Sequence, residues 1–202
     1  MFTGIVEGTA RVKMVSRRGT AARLEIDSLE AASDVKIGDS IAINGVCLTV
    51  TGKKNSVLFF DAVGNTLKKT GIKRLKPSDE VNLENALKIG DSVSGHMVSG
   101  HVDGERSVRG NKNTSRGRAF DVGILPGDEK YLVVGGSVAV DGVSLTVGAI
   151  LRGFFRIFLI PHTFSNTTLK KKKMGDWVNI EFDMLAKYAL KNKNCGRPDK
   201  GI

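Results

Sequence analysis

The sequence has little cysteine and no long apolar run. Cys47 and Cys195 are the two cysteines among 202 residues, and Cys195 lies in a polar tail. This pattern argues against a disulfide framework and favours a reducing, cytoplasmic setting. No run of about 18 apolar residues occurs, so we expect no membrane-spanning helix. The opening residues Met1–Glu7 also lack the basic and apolar parts of a signal peptide.

Aromatic residues are scarce, whereas basic residues are in excess. One tryptophan and two tyrosines accompany a formal net charge of +10. Such a charge can attract nucleic acid, but single-stranded nucleic acid is usually bound by stacking on aromatic rings. The densest basic run, Lys170–Lys173, is predicted to lie in a solvated turn. We therefore expect neither a nucleic acid nor a membrane as a partner.

Several common catalytic motifs are missing too. There is no dinucleotide fingerprint and no serine-centred elbow. The glycine-rich stretch Gly90–Gly95 lacks the lysine of a phosphate-binding loop. Three histidines and two distant cysteines do not have the spacing of a metal site, so no metal is expected.

What the sequence does contain is a duplication. The stretch Ser40–Val50 recurs 97 residues later as Ser137–Val147, with seven of eleven positions identical. Further matched pairs are Thr3–Gly8 with Ser99–Gly104, Val81–Glu84 with Val178–Glu181, and Thr66 with Thr163. A repeat of this length indicates two homologous domains rather than a short-period solenoid. We predict domains at 1–97 and 98–183, followed by a helix and polar tail at 184–202.

Short β-branched runs bounded by turn signals fill both halves. The dipeptide Asn44-Gly45 is the favoured centre of a tight hairpin turn. The pattern predicts a mainly β fold built as small antiparallel barrels or sandwiches. In the first half, the predicted strands are Thr9–Val15, Arg23–Ile26, Ile41–Ile43, Leu48–Thr51, Val57–Val63 and Glu80–Glu84.

Helices are predicted at few places. Lys68–Lys76 is expected to hold a turn of helix or a loop, and Asn85–Val98 a linker with a short helical start. Leu185, Tyr188 and Ala189 stand at helical spacing and predict a helix over Met184–Asn192.

The two halves differ at three equivalent positions that carry chemistry. These pairs are Cys47 with Ser144, Ile5 with His101, and Ala86 with Asp183. A lone cysteine on a strand is commonly a small core residue, and a histidine beside glycines is commonly a turn residue. Together, the differences favour two similar pockets that hold two similar molecules side by side. Two structural copies that stabilise each other, or two independent binding modules, are the alternatives.

Five motifs carry a resemblance to a known family: Met1–Val6, Asn44–Val50, Ser94–Gly104, Asp141–Val147 and Leu159–Thr163. In this order they resemble the alpha-type riboflavin synthases, over about residues 1–190. The resemblance implies tandem duplicated six-stranded antiparallel Greek-key β-barrels plus a short C-terminal α-helix. It implies a homotrimer with active sites between neighbouring subunits, and association with lumazine synthase is a further expectation.

The resemblance also implies the reaction. Two molecules of 6,7-dimethyl-8-ribityllumazine would be dismutated to riboflavin and 5-amino-6-ribitylaminopyrimidinedione, with no metal or organic cofactor. His101 is expected to be the base that removes a proton from the acidic C7 methyl group, and Cys47 matches a functionally sensitive cysteine. Ser40, Ser144 and Asp183 match further catalytic positions. The expected substrate-binding residues are Phe2, Gly4, Val6, Thr49, Thr66, Gly100, Val102, Thr146, Ile160 and Thr163.

Three departures from the family pattern bear on these expectations. Gly64-Asn65 stands where relatives have Pro-Glu or Ser-Glu, so contacts in the first pocket are expected to change. Gly135 stands where relatives have lysine, and the helix after Leu190 becomes polar, which predicts a short trimer contact. A non-catalytic lumazine- or flavin-binding protein is the alternative function. The retained cysteine, histidine and aspartate favour the enzyme.

Overall fold

Six antiparallel strands make up each half of the chain. The computed structural model describes residues 1–28, 34–115 and 117–193. The first half contains β1 (Gly8–Arg18), β2 (Ala21–Asp27), β3 (Ser40–Ile43), β4 (Val46–Lys54), β5 (Val57–Ala62) and β6 (Glu80–Asn85). The second contains β7 (Gly104–Thr114), β8 (Gly117–Gly123), β9 (Ser137–Val140), β10 (Val143–Leu151), β11 (Phe154–Leu159) and β12 (Trp177–Phe182).

The strands of each half close into a barrel with the same connectivity. The first runs β1-β2-β5-β4-β3-β6, and the second runs β7-β8-β11-β10-β9-β12. Because β2 pairs with β5 rather than with β3, the connection is of the Greek-key kind. Closure also leaves no free strand edge. The predicted tandem six-stranded barrels are therefore confirmed.

Alternating burial along the strands builds the two cores. On β2, Ala22, Leu24 and Ile26 are buried while their neighbours are more exposed, as expected for a strand with one solvated face. Phe60 fills the first barrel and Phe120 the second, both without solvent contact. Each barrel thus has its own hydrophobic core.

The predicted Asn44-Gly45 turn is present, and Asp141-Gly142 repeats it. Both residues of each turn have positive φ, at 46° and 77° in the first and 45° and 81° in the second, as in the primed turns of tight hairpins. A Cβ on Gly45 would lie 2.6 Å from the Gly142 nitrogen, and a Cβ on Gly142 2.7 Å from the Gly45 nitrogen. The turns therefore pack backbone against backbone, which only glycine permits.

Two buried asparagines connect these turns across the interface. Asn82 Nδ2 donates to the Asp141 carbonyl at 2.9 Å, and Asn179 Nδ2 donates to the Asn44 carbonyl at 2.8 Å. The Asn82 amide N–H donates to Asn44 Oδ1 at 2.8 Å, and the Asn179 amide N–H to Asp141 Oδ1 at 2.7 Å. Buried polar groups are stable only when paired in this way. The two barrels consequently meet with approximate two-fold symmetry.

In the part of the chain that the structure describes, helices are short and few. They are α1 (Gly64–Lys69), α2 (Pro161–Asn166) and α3 (Met184–Lys193), with 3₁₀ helices at Gly71–Arg74, Glu129–Tyr131 and Thr168–Lys171. The predicted C-terminal helix is confirmed, whereas the tail from 194 onward, with Cys195, lies outside the described residues. Within the described ranges, no helix is long and apolar enough to span a membrane.

The predicted helical start of the linker is wrong. Residues 86–98 contain no helical turn. The Ala86 amide N–H donates to the Ser40 carbonyl at 3.3 Å, and the Leu87 amide N–H donates to the Met1 carbonyl at 3.0 Å. These long-range hydrogen bonds tie the start of the linker to β3 and to Met1, and such tertiary contacts override a weak local helix preference.

Candidate active site

Each half of the chain contributes a short segment to the other barrel. The first segment (residues 1–6) packs through Val6 against the core of the second barrel. The second segment (residues 98–102) places Val102 in the core of the first. We call these the exchanged segments. They connect the two barrels, so any site beside them draws residues from both halves.

Phe2 lies where the exchanged segments meet. Its amide N–H donates to the Val98 carbonyl at 2.8 Å, and the Val98 amide N–H donates to the Phe2 carbonyl at 3.0 Å. The Phe2 ring is fully buried with Val98, Ala42 and Ala139, and Cys47 packs against this cluster. Phe2 therefore forms part of the core between the barrels, and its predicted contact with substrate stays a prediction.

Two glycines bring the exchanged segments onto the repeated hairpins. The Gly4 carbonyl accepts from the Ser144 amide N–H at 2.7 Å, and the Gly100 carbonyl accepts from the Cys47 amide N–H at 3.0 Å. Both glycines have positive φ, 77° and 82°. A Cβ would lie 2.6 Å from Ser144 Cβ in the first case and 2.5 Å from Cys47 Cβ in the second. Both positions require glycine, and they place Cys47 and Ser144 in equivalent surroundings.

Two buried carboxylates hold these segments, and the sequence analysis did not identify them as site residues. Glu84 Oε1 accepts from the Thr3 amide N–H at 2.6 Å and from Thr3 Oγ1 at 2.9 Å. Glu181 Oε1 accepts from the Ser99 amide N–H and from Ser99 Oγ, each at 2.7 Å. Burial raises the pKa of Glu84, although its hydrogen bonds from Thr3 oppose that change. Both glutamates were visible in the repeat, but only as strand residues.

Ser144 has a histidine partner that the sequence analysis also missed. His96 Nδ1 lies 2.7 Å from Ser144 Oγ, and the His96 amide N–H donates to the Thr3 carbonyl at 3.0 Å. Burial lowers the pKa of His96, while the charges of Asp183 and Glu181 act in the opposite direction. The neutral ring can therefore accept the serine proton near pH 7. The motif Ser94–Gly104 contained this histidine, but His96 lies outside the matched pairs of the repeat.

Cys47 differs from Ser144 in its polar contacts. Both side chains are half-buried, and both follow a hairpin turn at the start of a strand. Among the described residues, no imidazole lies within hydrogen-bond distance of the Cys47 thiol. The two equivalent positions thus carry a hydroxyl paired with an imidazole and a thiol without one.

His101 and Asp183 lie near the second segment but have different surroundings. His101 is exposed, and its amide N–H donates to Ser99 Oγ at 3.1 Å. Asp183 precedes α3, and its Oδ1 accepts from the Leu185 amide N–H at 2.9 Å. Asp183 therefore caps the helix. Its charge also raises the pKa of His96 against the effect of burial, which links it to the Ser144 pair.

A cleft of about 660 Å³ opens beside the first barrel. Ser40, Ile5 and Ala86 line it together with Thr3 and Glu84. Its volume is within the range of small-molecule sites, roughly 300–1,000 Å³. The cleft brings the predicted Ser40 next to the first exchanged segment.

The remaining predicted residues lie around the rims of the barrels. Thr49 pairs with Ser40 across β3 and β4, and the exposed Thr146 occupies the equivalent position on β10. Thr66 lies within α1 and Thr163 within α2, and both are half-buried. Ile160 precedes α2 and is 62% exposed. None of these remaining residues is among the described residues that line the 660 Å³ cleft.

The departures from the family pattern have local explanations. Gly64 begins α1, so the substituted dipeptide forms the start of that helix. Gly135 has φ +83°, a conformation strained for any residue with a side chain. Its amide N–H donates to the Val147 carbonyl at 2.8 Å. The glycine therefore suits this turn, and it brings no basic group.

Comparison with known proteins supports the duplicated domain organisation. A family model described as the lumazine binding domain matches residues 3–86 and again residues 99–183. Riboflavin synthase of Bacillus subtilis (strain 168) is 41% identical over 188 residues, covering 93% of this chain and 87% of that protein. Riboflavin synthase of Photobacterium phosphoreum is 43% identical over 192 residues, with the same coverage.

A further relative and a solved structure extend the comparison. Riboflavin synthase of Chlamydia pneumoniae is 38% identical over 201 residues, 94% of each chain. The crystal structure of LumP complexed with 6,7-dimethyl-8-(1'-D-ribityl) lumazine has a TM-score of 0.82 and 22% identity, covering 90% of this chain and 99% of that one. This structural likeness supports the fold. The chain belongs to the riboflavin synthase family, and each of its halves is a lumazine-binding domain.

Proposed function

We propose that the chain dismutates two molecules of 6,7-dimethyl-8-ribityllumazine to riboflavin and 5-amino-6-ribitylaminopyrimidinedione. The observation that carries the proposal is the placement of Cys47 and Ser144 at equivalent positions beside the exchanged segments, with an imidazole at only one of them. Two similar sites can bind two identical substrate molecules. Because the side chains at the two sites differ, one site can serve the donor and the other the acceptor of the four-carbon unit. Binding both substrates side by side increases the reaction rate, because a bimolecular step becomes effectively unimolecular.

The proposed reaction moves a four-carbon unit between the two lumazines. Carbons C6 and C7 of the donor leave with their two methyl groups and complete the third ring of riboflavin. The C7 methyl proton is acidic because the resulting carbanion delocalises into the ring. In this proposal His101 accepts that proton, and the exposed imidazole is accessible to a ligand. The atoms balance between two lumazines and two products, so no external oxidant or reductant is needed.

The acceptor lumazine also needs activation at C7, and we assign this step to Ser144. Its hydroxyl oxygen would add to C7 while its proton passes to His96 Nδ1, 2.7 Å away. When the bond between the Ser144 oxygen and C7 later breaks, the proton returns from His96 to that oxygen. Cys47 would then shape the other site, next to Phe2 and the second exchanged segment. This assignment gives each half a separate task.

Incubation of the purified protein with 6,7-dimethyl-8-ribityllumazine tests the proposal. We expect the absorbance of riboflavin to appear while lumazine is consumed. Stable binding of the chromophore without riboflavin would support a carrier instead. Failure of both binding and turnover would contradict lumazine recognition by this chain.

We also propose a homotrimer, because α3 presents apolar side chains to solvent in one copy. Leu185 is 70% exposed and Tyr188 is 62% exposed. Large exposed apolar residues on one helix favour burial against another surface. Light scattering after size exclusion should give three times the chain mass of 21.7 kDa. A single-chain mass at micromolar concentration would contradict the trimer.

Two further expectations accompany this function. Association with lumazine synthase would supply the substrate directly, and co-sedimentation of the two purified proteins would test it. We expect a cytoplasmic location, because the proposed substrate and products are small polar molecules. Fractionation of cells that express the tagged chain would test this.

A further inference from the structure

A groove of about 790 Å³ lies on the outer side of the second barrel. Its walls are residues 109–112 of β7, Arg118 and Asp121 of β8, and residues 170–174, which run from the end of the 3₁₀ helix Thr168–Lys171 towards β12. Among the described residues that line it, seven are lysine or arginine, and Asp121 is the one carboxylate. None of these residues belongs to the candidate active site. The basic run Lys170–Lys173 therefore lines a concave surface.

Most of these charges are not compensated. Two of the seven cations have carboxylate partners, Lys171 with Glu80 at 2.8 Å and Lys172 with Asp141 at 3.0 Å. Asp121 is already occupied by Arg156, with its Oδ1 2.6 Å from the Arg156 Nε. Within the described part of the chain, five cations form no ion pair: Arg109, Lys112, Arg118, Lys170 and Lys173.

Neutral groups hold the side chain of Arg118, one of these five cations, in place. Its guanidinium stacks on the Phe164 ring, 4.0 Å from the centroid, and its Nε donates to Asn111 Oδ1 at 2.6 Å. Asn111 Nδ2 in turn donates to the Lys172 carbonyl at 2.8 Å. The guanidinium is thus oriented without being neutralised, which suits recognition of an oxyanion.

The duplicated barrel indicates that the fold does not require a cation at the positions of Arg118 and Lys112. The register of β1 with β2 places Arg17 opposite Ala22, and that of β7 with β8 places Asn113 opposite Arg118. Ala22 thus occupies the position equivalent to Arg118, and Ser16 the position equivalent to Lys112. In the first barrel, Arg17 donates to the carbonyls of Lys73 and Leu75 at 2.9 and 3.1 Å. Among the described residues, the face of the first barrel that is equivalent to the groove therefore has fewer cations without an ion-pair partner than the groove itself.

We propose that the groove binds a small anion with several phosphate groups. Phosphate oxygens match both the guanidinium fork and the lysine charges. None of the described residues that line the groove is aromatic, and Arg118 covers one face of the neighbouring Phe164 ring. The groove therefore lacks the rings on which nucleobases usually stack. A concave cationic surface also fits a bilayer poorly, because Met174 is the one large exposed apolar side chain among the described residues that line it. The ligand is recognised by its charge and its small size.

Calorimetric titration with inorganic tripolyphosphate at about 0.15 M salt tests the site under physiological screening. The test variant is K112Q/K173Q, because both lysines are exposed and their side chains form no ion pair. The control is K13Q/K76Q, which removes the same charge from equivalent elements of the first barrel. We expect about tenfold weaker binding in the test variant, from two exposed charge contacts, and less than twofold change in the control.

Three results would overturn the site. They are no tripolyphosphate binding by the wild-type protein, equal loss in both double variants, or tighter binding of an RNA oligonucleotide that tripolyphosphate does not displace. The last result would assign the groove to nucleic acid. Unfolding midpoints of the double variants serve as the folding check, and the single variant K112Q replaces K112Q/K173Q if that protein is destabilised.

Discussion

Replacing Gly100 with alanine tests whether the exchanged segments position the active site. Gly100 has φ +82°, and an added Cβ would lie 2.5 Å from Cys47 Cβ. Carbon atoms in contact are about 3.5–4.0 Å apart, so the segment must move by roughly 1 Å. That movement stretches the 3.0 Å hydrogen bond from the Cys47 amide to the Gly100 carbonyl. The variant therefore strains the backbone and displaces Cys47.

The expected magnitude follows from these two effects. The left-handed conformation costs a residue with a Cβ about 1–2 kcal/mol, and the weakened hydrogen bond costs about 0.5–1.5 kcal/mol. We expect the free energy of unfolding to fall by roughly 2–3 kcal/mol. A misplacement of about 1 Å near reacting groups can lower turnover by about 100-fold.

The assays are urea unfolding and the rate of riboflavin formation. Gly135→Ala is the matched control, because Gly135 has φ +83° but no atom within 4 Å of an added Cβ. In the control, the free energy of unfolding should fall only by the cost of the left-handed backbone conformation, and most of the activity should remain. Equal losses of stability and activity in the two variants would refute the role assigned to the exchanged segment.

Three further variants address the side chains of the site. Cys47→Ser should still bind lumazine, measured by fluorescence titration, but form riboflavin far more slowly, because a smaller hydroxyl replaces the thiol that packs beside Phe2 and the second exchanged segment; unchanged turnover would count against the role assigned to the thiol. His96→Gln should lower turnover by about 100-fold and remove the fall in rate at acidic pH. Because the folded-state pKa of His96 is lowered, the unfolded chain binds the proton more readily. Wild-type stability should therefore decline as pH falls below about 6.5, and a flatter pH profile in His96→Gln checks this. Asp183→Asn keeps a capping oxygen but loses a charge that raises the pKa of His96, so the acidic limb of the rate should move to lower pH at unchanged stability; an unmoved limb would contradict the link.

The barrels were predictable because their signals are local and occur twice. The turns at Asn44-Gly45 and Asp141-Gly142 have positive φ at both residues, and Asn-Gly and Asp-Gly dipeptides are typical of such turns. The alternating strand patterns then fix which side chains enter each core. A duplicated order of such signals leaves few alternatives to two copies of one topology.

The site was less predictable because long-range contacts build it. The approach of Gly4 to Ser144 joins residues from different halves, and no local pattern marks it. The linker was expected to start as a helix, but hydrogen bonds to Met1 and Ser40 override that local preference. His96 lies outside the matched pairs of the repeat, and its distance from Ser144 identified it.

The stoichiometry of the reaction tests the proposed function most sharply. Purified protein with 6,7-dimethyl-8-ribityllumazine as its only substrate should consume two lumazines for each riboflavin formed and release one 5-amino-6-ribitylaminopyrimidinedione. Chromatography with absorbance detection measures all three compounds. Lumazine that stays bound and unconverted, or riboflavin formed without the pyrimidinedione, would contradict the transfer of a four-carbon unit between two like sites.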